Sequence, residues 1–198
     1  MKRWTNISIM LAGLLLVITG CSDALQGLIP GWPVGSGQSN LDLMVTAEQM
    51  VAPQYPQALL IEVLGATSSG SGQAAGDVDR YQFRFSEDPD AAGAGTVWVD
   101  YENGKFTGPF YTSQGLIGTV FDPLPRNMTL AQALQLARDA GYTDAFTSIT
   151  FRKPLTFPPV EEALYAFTMP GRYVLVGALS GEVSEESALA DAPTLLEP

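Results

Sequence analysis

Two stretches of this chain pass through the same succession of local signals, and that duplication limits the folds open to it. In the first, Thr46-Ala47-Glu48-Gln49 has the form of a helix-opening capping box, with Val45 and Met50 spaced as a hydrophobic staple. Pro53 and Pro56 bracket the end of the helix it opens, which is therefore expected to be short. Tyr55-Pro56-Gln57-Ala58-Leu59 leads into an apolar, strand-like run over 59–64, followed by a Gly/Ser/Ala-rich loop over 65–76. Tyr81, Phe83 and Phe85 then alternate with Gln82, Arg84 and Ser86, the period of a half-buried strand. A third strand over 96–101 runs into Asn103-Gly104, a strong turn signal.

The second stretch repeats this order. Thr129-Leu130-Ala131-Gln132 is another capping box, and Leu130, Ala133, Leu134 and Ala137 give its helix an apolar face before Gly141 closes it. Tyr142-Thr143-Asp144-Ala145-Phe146 keeps the Tyr-x-x-Ala-apolar spacing, and strands are expected over 148–152, 163–168 and 173–178, ending at Ser180-Gly181. The expected fold class is α+β: two helix–β–β–β repeats with the helices packed on one face of an antiparallel sheet. The first repeat spans 41–108 and the second 109–190, with an irregular connector over 107–127 and a tail at 191–198. Chance likeness between two small units is the competing reading.

The amino terminus follows different rules. Lys2 and Arg3 precede a twelve-residue apolar-dominated stretch over 7–18, too short for the roughly 20 residues of a membrane-spanning helix but suited to a signal peptide over 1–20. Ile18-Thr19-Gly20-Cys21 resembles the lipobox of bacterial lipoproteins, in which the chain is cut before the cysteine and the sulfur receives diacylglycerol carrying fatty acids such as palmitate. Cys21 is the chain's one cysteine, so lipid attachment there also disposes of an otherwise unpaired thiol. The alternative is an ordinary secretory signal with a coincidental cysteine. Ser22 after the cysteine implies the outer membrane if the cell is Gram-negative. Residues 21–40, with Pro30, Pro33 and Gly35-Ser36-Gly37, read as a flexible tether within which Trp32 stands out.

Charge and missing residue types narrow the chemistry. Without Lys2 and Arg3 the ten basic residues fall to eight against 21 acidic ones, a net charge of −13, which disfavours nucleic acid or anionic lipid as partners. There is no histidine, so Ser-His-Asp and Cys-His catalysis and histidine-based zinc sites are excluded. Asp88 with Asp90, Asp100 with Glu102, and Glu161 with Glu162 are carboxylate pairs of the kind that hydrolyse glycosides, but all sit at turns or strand ends where solvated acids are expected. Glu87-Asp88-Pro89-Asp90 lacks the pattern of a calcium loop. No enzyme, cofactor or metal is expected.

The endings of the two stretches resemble those of PepSY domains. Residues 173–183 (Tyr-Val-Leu-Val-Gly-Ala-Leu-Ser-Gly-Glu-Val) are similar to the final strand and turn of that family, and 97–105 (Val-Trp-Val-Asp-Tyr-Glu-Asn-Gly-Lys) form a matching ending. The resemblance covers 41–186 as a tandem pair and implies a cystatin-like architecture that binds or inhibits peptidases without catalytic residues. The expected function is a lipid-anchored protein-binding module of the cell envelope whose partner is an envelope protein, such as a peptidase. The alternative is a small-ligand lipoprotein for an apolar compound or a sugar. Trp98, opposite in facing to Val97, Val99 and Tyr101, is the candidate partner anchor together with Phe110 and Tyr111. The competing reading has the connector folding back over Trp98.

Overall fold

The computed structural model of the protein describes residues 38–156 and 159–187. The signal peptide, Cys21, Trp32, the tether as far as residue 37 and the tail at 191–198 lie outside the described residues. Helix α1 spans Asn40–Val51 and is followed by strands β1 (Leu59–Ala66), β2 (Arg80–Ser86), β3 (Thr96–Glu102) and β4 (Lys105–Thr112). Helix α2 spans Leu130–Asp139 and precedes β5 (Ser148–Arg152), β6 (Leu164–Met169), β7 (Arg172–Gly177) and β8 (Val183–Ser187). All eight strands join one sheet in the order β4-β3-β2-β1-β5-β6-β7-β8, with every neighbouring pair antiparallel.

The expected α+β fold of two helix–β–β–β repeats is therefore corrected. The molecule is dominated by a single eight-stranded sheet, and helix among the described residues is limited to α-helices of 12 and 10 residues and a three-residue 3-10 turn over Ala75–Asp77. Each helix is followed by four strands, and β1 pairs directly with β5, so the sheet is continuous across the chain's midpoint. Two strands escaped the sequence pattern. In β4, Gly108 and Pro109 interrupt the alternation that marks a strand, and the segment read as connector; it also crosses position 108/109, where two repeats were expected to meet. In β8, Val-Ser-Glu-Glu-Ser has no apolar face because it is an exposed edge strand.

Local chemistry explains most element ends. Asn103 and Gly104 both have positive φ, 51° and 79°, the conformation of a two-residue type I′ turn between β3 and β4. Thr129 and Gln132 form their capping box at α2. Helix α1, by contrast, starts at Asn40 and not after Thr46. Ser39 is its N-cap, in a capping box with Asp42, and the Thr46 hydroxyl lies within the helix, donating to the Asp42 carbonyl at 3.0 Å.

The core lies between the helices and one face of the sheet. Leu43, Met44, Ala47 and Val51 of α1 and Leu130, Ala133, Leu134 and Ala137 of α2 share one buried cluster with Phe83, Phe85, Phe151 and Phe167. Phe151 and Tyr165 stack with ring centroids 4.1 Å apart. Each such aromatic ring, fully removed from water, stabilises the fold by roughly 1.5–3 kcal/mol.

One polar knot sits inside this apolar layer. Asn40 Nδ2 donates to Tyr165 Oη at 3.0 Å, Asn40 Oδ1 accepts from the Leu130 amide at 2.8 Å, and Tyr165 Oη donates to the Met128 carbonyl at 2.8 Å. The first residue of α1 thereby satisfies an orphan amide in the first turn of α2 and ties both helices to β6. Burial pushes the Tyr165 hydroxyl well above the usual phenol range, so it stays protonated and able to donate.

Candidate binding face

The alternation of the strands sends one set of side chains into the core and the other set onto the opposite face. There, Leu64, Gln82, Arg84, Trp98, Asp100, Thr150 and Ala166 are half-buried, and Phe110 and Thr107 at the β4 side are exposed. Neither α1 nor α2 lies on this face, because both bury their apolar sides in the core on the other.

Cross-strand register arranges the face in rows. One row runs Arg152, Glu62, Arg84, Trp98, Phe110 across β5, β1, β2, β3 and β4. The next runs Thr150, Leu64, Gln82, Asp100, Thr107. A hydrogen-bonded chain links them. Arg84 Nη1 and Arg152 Nη1 each donate to Glu62, both at 3.1 Å; Arg84 Nε donates to Gln82 Oε1 at 2.6 Å, and Gln82 Nε2 to Asp100 Oδ1 at 2.9 Å. The Glu62 side chain is 5% exposed, whereas those of Arg84 and Arg152 are 22% and 38% exposed. A carboxylate so far from water is tolerable because two guanidinium groups flank it. A shift in pairing register between Leu60 and Glu62 accompanies this placement in β1.

The three aromatic residues singled out from the sequence separate. Trp98 and Phe110 are cross-strand partners on the open face, their ring centroids 5.6 Å apart. Tyr111 pairs with Val97 and faces the other way, stacking on Tyr55 at 6.0 Å. Its hydrogen bond with Glu87 raises the Tyr111 hydroxyl's pKa. After β4 the chain meets the open face at the Thr96 row, where the Gln114 carbonyl accepts from Thr96 Oγ1, and residues 118–120 then pair with 153–155.

One member of each acidic pair has a structural partner. Asp88 accepts from the Asp90 amide and Glu87 from the Gly95 amide, closing the loop before β3. Glu162 accepts from Ser180 Oγ and from the amides of Leu179 and Ser180. Partial burial works against its charged form, but these hydrogen bonds prevail and lower its pKa. Asp100 belongs to the open-face chain. Among the described residues, no group of three or more acidic or cysteine side chains is placed to hold a metal ion, and no helix is long and apolar enough to cross a membrane.

A cleft of about 660 Å³ opens over the second of these rows, where β1 to β5 meet near the Asn103-Gly104 turn. Arg80, Asp100, Glu102 and Lys105 ring it with both signs of charge. Glu62, Arg84 and Arg152 were not among the sequence candidates. The usable signal was a lone glutamate inside the apolar run 59–64, a charge that a buried strand accepts only with a counterion.

The chain has no significant match among protein-family models, curated proteins or solved structures.

Proposed function

We propose that this protein is a lipid-anchored, non-enzymatic binding module of the cell envelope that engages a protein partner through the open face of its sheet. The observation that carries the reading is the asymmetry of the sheet: one face is closed by two helices, the other presents half-buried polar and aromatic side chains fixed in register across five strands. A pre-organised face of this kind binds without the entropic cost of ordering loops. The lipid anchor rests on the lipobox-like run ending at Cys21, and the peptidase as partner class on the PepSY resemblance in 97–105 and 173–183.

The test is site-specific photocross-linking in living cells. A cross-linking amino acid at Thr150 or Leu175 on the open face is expected to trap a protein, while one at Val45 or Gln135 on the helices is not. Cross-links arising equally from both sides refute the assignment of the face. Radiolabelled palmitate incorporated into the wild type but not into Cys21→Ser supports the anchor, and equal labelling refutes it.

The cleft favours a second reading. At about 660 Å³ it lies within the size range of small-molecule sites and carries hydrogen-bonding groups suited to a sugar. Saturation-transfer signals from oligosaccharides that vanish in Asp100→Ala would support it over the first.

A further inference from the structure

The open face differs from the rest of the molecule in charge. Of the eight Lys and Arg residues beyond position 20, four (Arg80, Arg84, Lys105, Arg152) stand in its rows, against four of the 21 acids (Glu62, Asp100, Glu102, Glu186). In a chain that otherwise repels anions, this face is neutral. Its Arg152–Glu62–Arg84–Trp98–Phe110 row is positive, with Asp100 of the next row joined to Arg84 through Gln82. Glu62 holds two guanidinium groups, so the triad carries a net charge of +1, and its single acid is the member shielded from water.

Glu62 takes one N–H from each arginine, and Arg152, 38% exposed, keeps the remainder of its fork accessible. Guanidinium N–H groups arrayed beside one another match a second carboxylate in planar, charge-assisted geometry. In the same row as Arg84 stand Trp98 and then Phe110, an apolar patch about one to two strand spacings away. We infer that the partner delivers a carboxylate side chain to the Arg84–Glu62–Arg152 triad with an apolar neighbour laid against Trp98 and Phe110. This rests on the open face being a protein-binding surface, and adds to it the chemistry of what binds.

The experiment uses the full chain in detergent micelles with three probes: acetyl-Leu-Glu-Leu-amide and its Gln and Lys counterparts. Binding is read from the NMR signals of the Arg Nε–H and Trp Nε1–H groups. The Glu peptide is expected to shift Arg84, Arg152 and Trp98 together, with the Gln peptide roughly 5–30-fold weaker because it lacks charge-assisted bonds. Arg152→Gln should remove the Glu-over-Gln preference, and Arg152→Glu should transfer it to the Lys peptide, each with unfolding curves confirming a folded protein. Equal shifts from all three peptides overturn the inference. So does the absence of shifts at the triad up to about 20 mM, where even millimolar complexes are populated. If photocross-links still arise from the open face in either case, the inference fails alone; if they are lost as well, the binding-face reading fails with it.

Discussion

Replacing Asn40 with alanine tests whether the polar knot in the core fastens the two helices together. Asn40 is 6% exposed, and its amide serves two groups at once, the Leu130 N–H and the Tyr165 hydroxyl. Alanine strands the Leu130 amide in a site sealed from water, a penalty of about 1–3 kcal/mol. It also removes a hydrogen bond to Tyr165, worth about 0.5–1.5 kcal/mol net, although that hydroxyl still donates to Met128. Alanine's better helix propensity returns about 0.5 kcal/mol. The sum is a loss of roughly 1–4 kcal/mol, or some 2–16 °C in Tm for a domain of this size. Urea unfolding followed by fluorescence should show a lower midpoint at unchanged slope. Tyr165→Phe should cost a similar amount, and the double variant less than the sum, with a coupling of about 0.5–3 kcal/mol. An Asn40→Ala variant within about 0.5 kcal/mol of wild type, or strict additivity with Tyr165→Phe, refutes the idea of a shared buried network.

Three further outcomes follow from other elements. Ser39→Ala should lose about 1 kcal/mol of stability as the cap of α1 disappears, whereas Thr46→Ala should be nearly neutral; a reversal of that order in thermal melts would return the helix start to Thr46. Glu62→Ala leaves two guanidinium groups facing each other, and about 2–4 kcal/mol of destabilisation is expected, less than for a fully buried pair because both arginines are partly exposed; 1 M salt should recover part of it, and a salt-independent loss would point to packing instead. Glu162 has a folded pKa below its ordinary 4.5, so its hydrogen bonds stabilise fully above that pH and are lost as pH falls through the folded value. Glu162→Gln should therefore be less stable than wild type at neutral pH, with the gap closing on acidification below about 4.5, and a gap constant with pH would contradict this assignment.

What the chain discloses in one dimension is whatever depends on neighbouring residues. The Tyr81-Phe83-Phe85 alternation, the Asn103-Gly104 turn and the Thr129 capping box are local, and each forms in the structure. The start of α1 was misplaced because two capping-box patterns lie seven residues apart, and sequence spacing does not say which hydroxyl sits at the helix boundary. Strands β4 and β8 were missed for a related reason. They exist through pairing with β3 and β7, and edge strands need no apolar face. Trp98 and Phe110 were both suspected, but the shift in register between Trp98 and Asp100, which decides that they touch and Tyr111 turns away, is set by tertiary pairing. The Asp100–Gln82–Arg84–Glu62–Arg152 chain joins residues up to 90 positions apart, beyond the reach of any spacing rule.

The outermost strands carry a consequence for how copies of this protein meet. A sheet edge is a template on which another chain can crystallise its own backbone. At β4 that template is broken by Gly108 and by Pro109, which has no N–H to offer. At β8 it is electrified: Glu185 and Glu186 would meet their own kind in a second copy's β8. Growth sideways is thus discouraged at both ends, however crowded the molecules become.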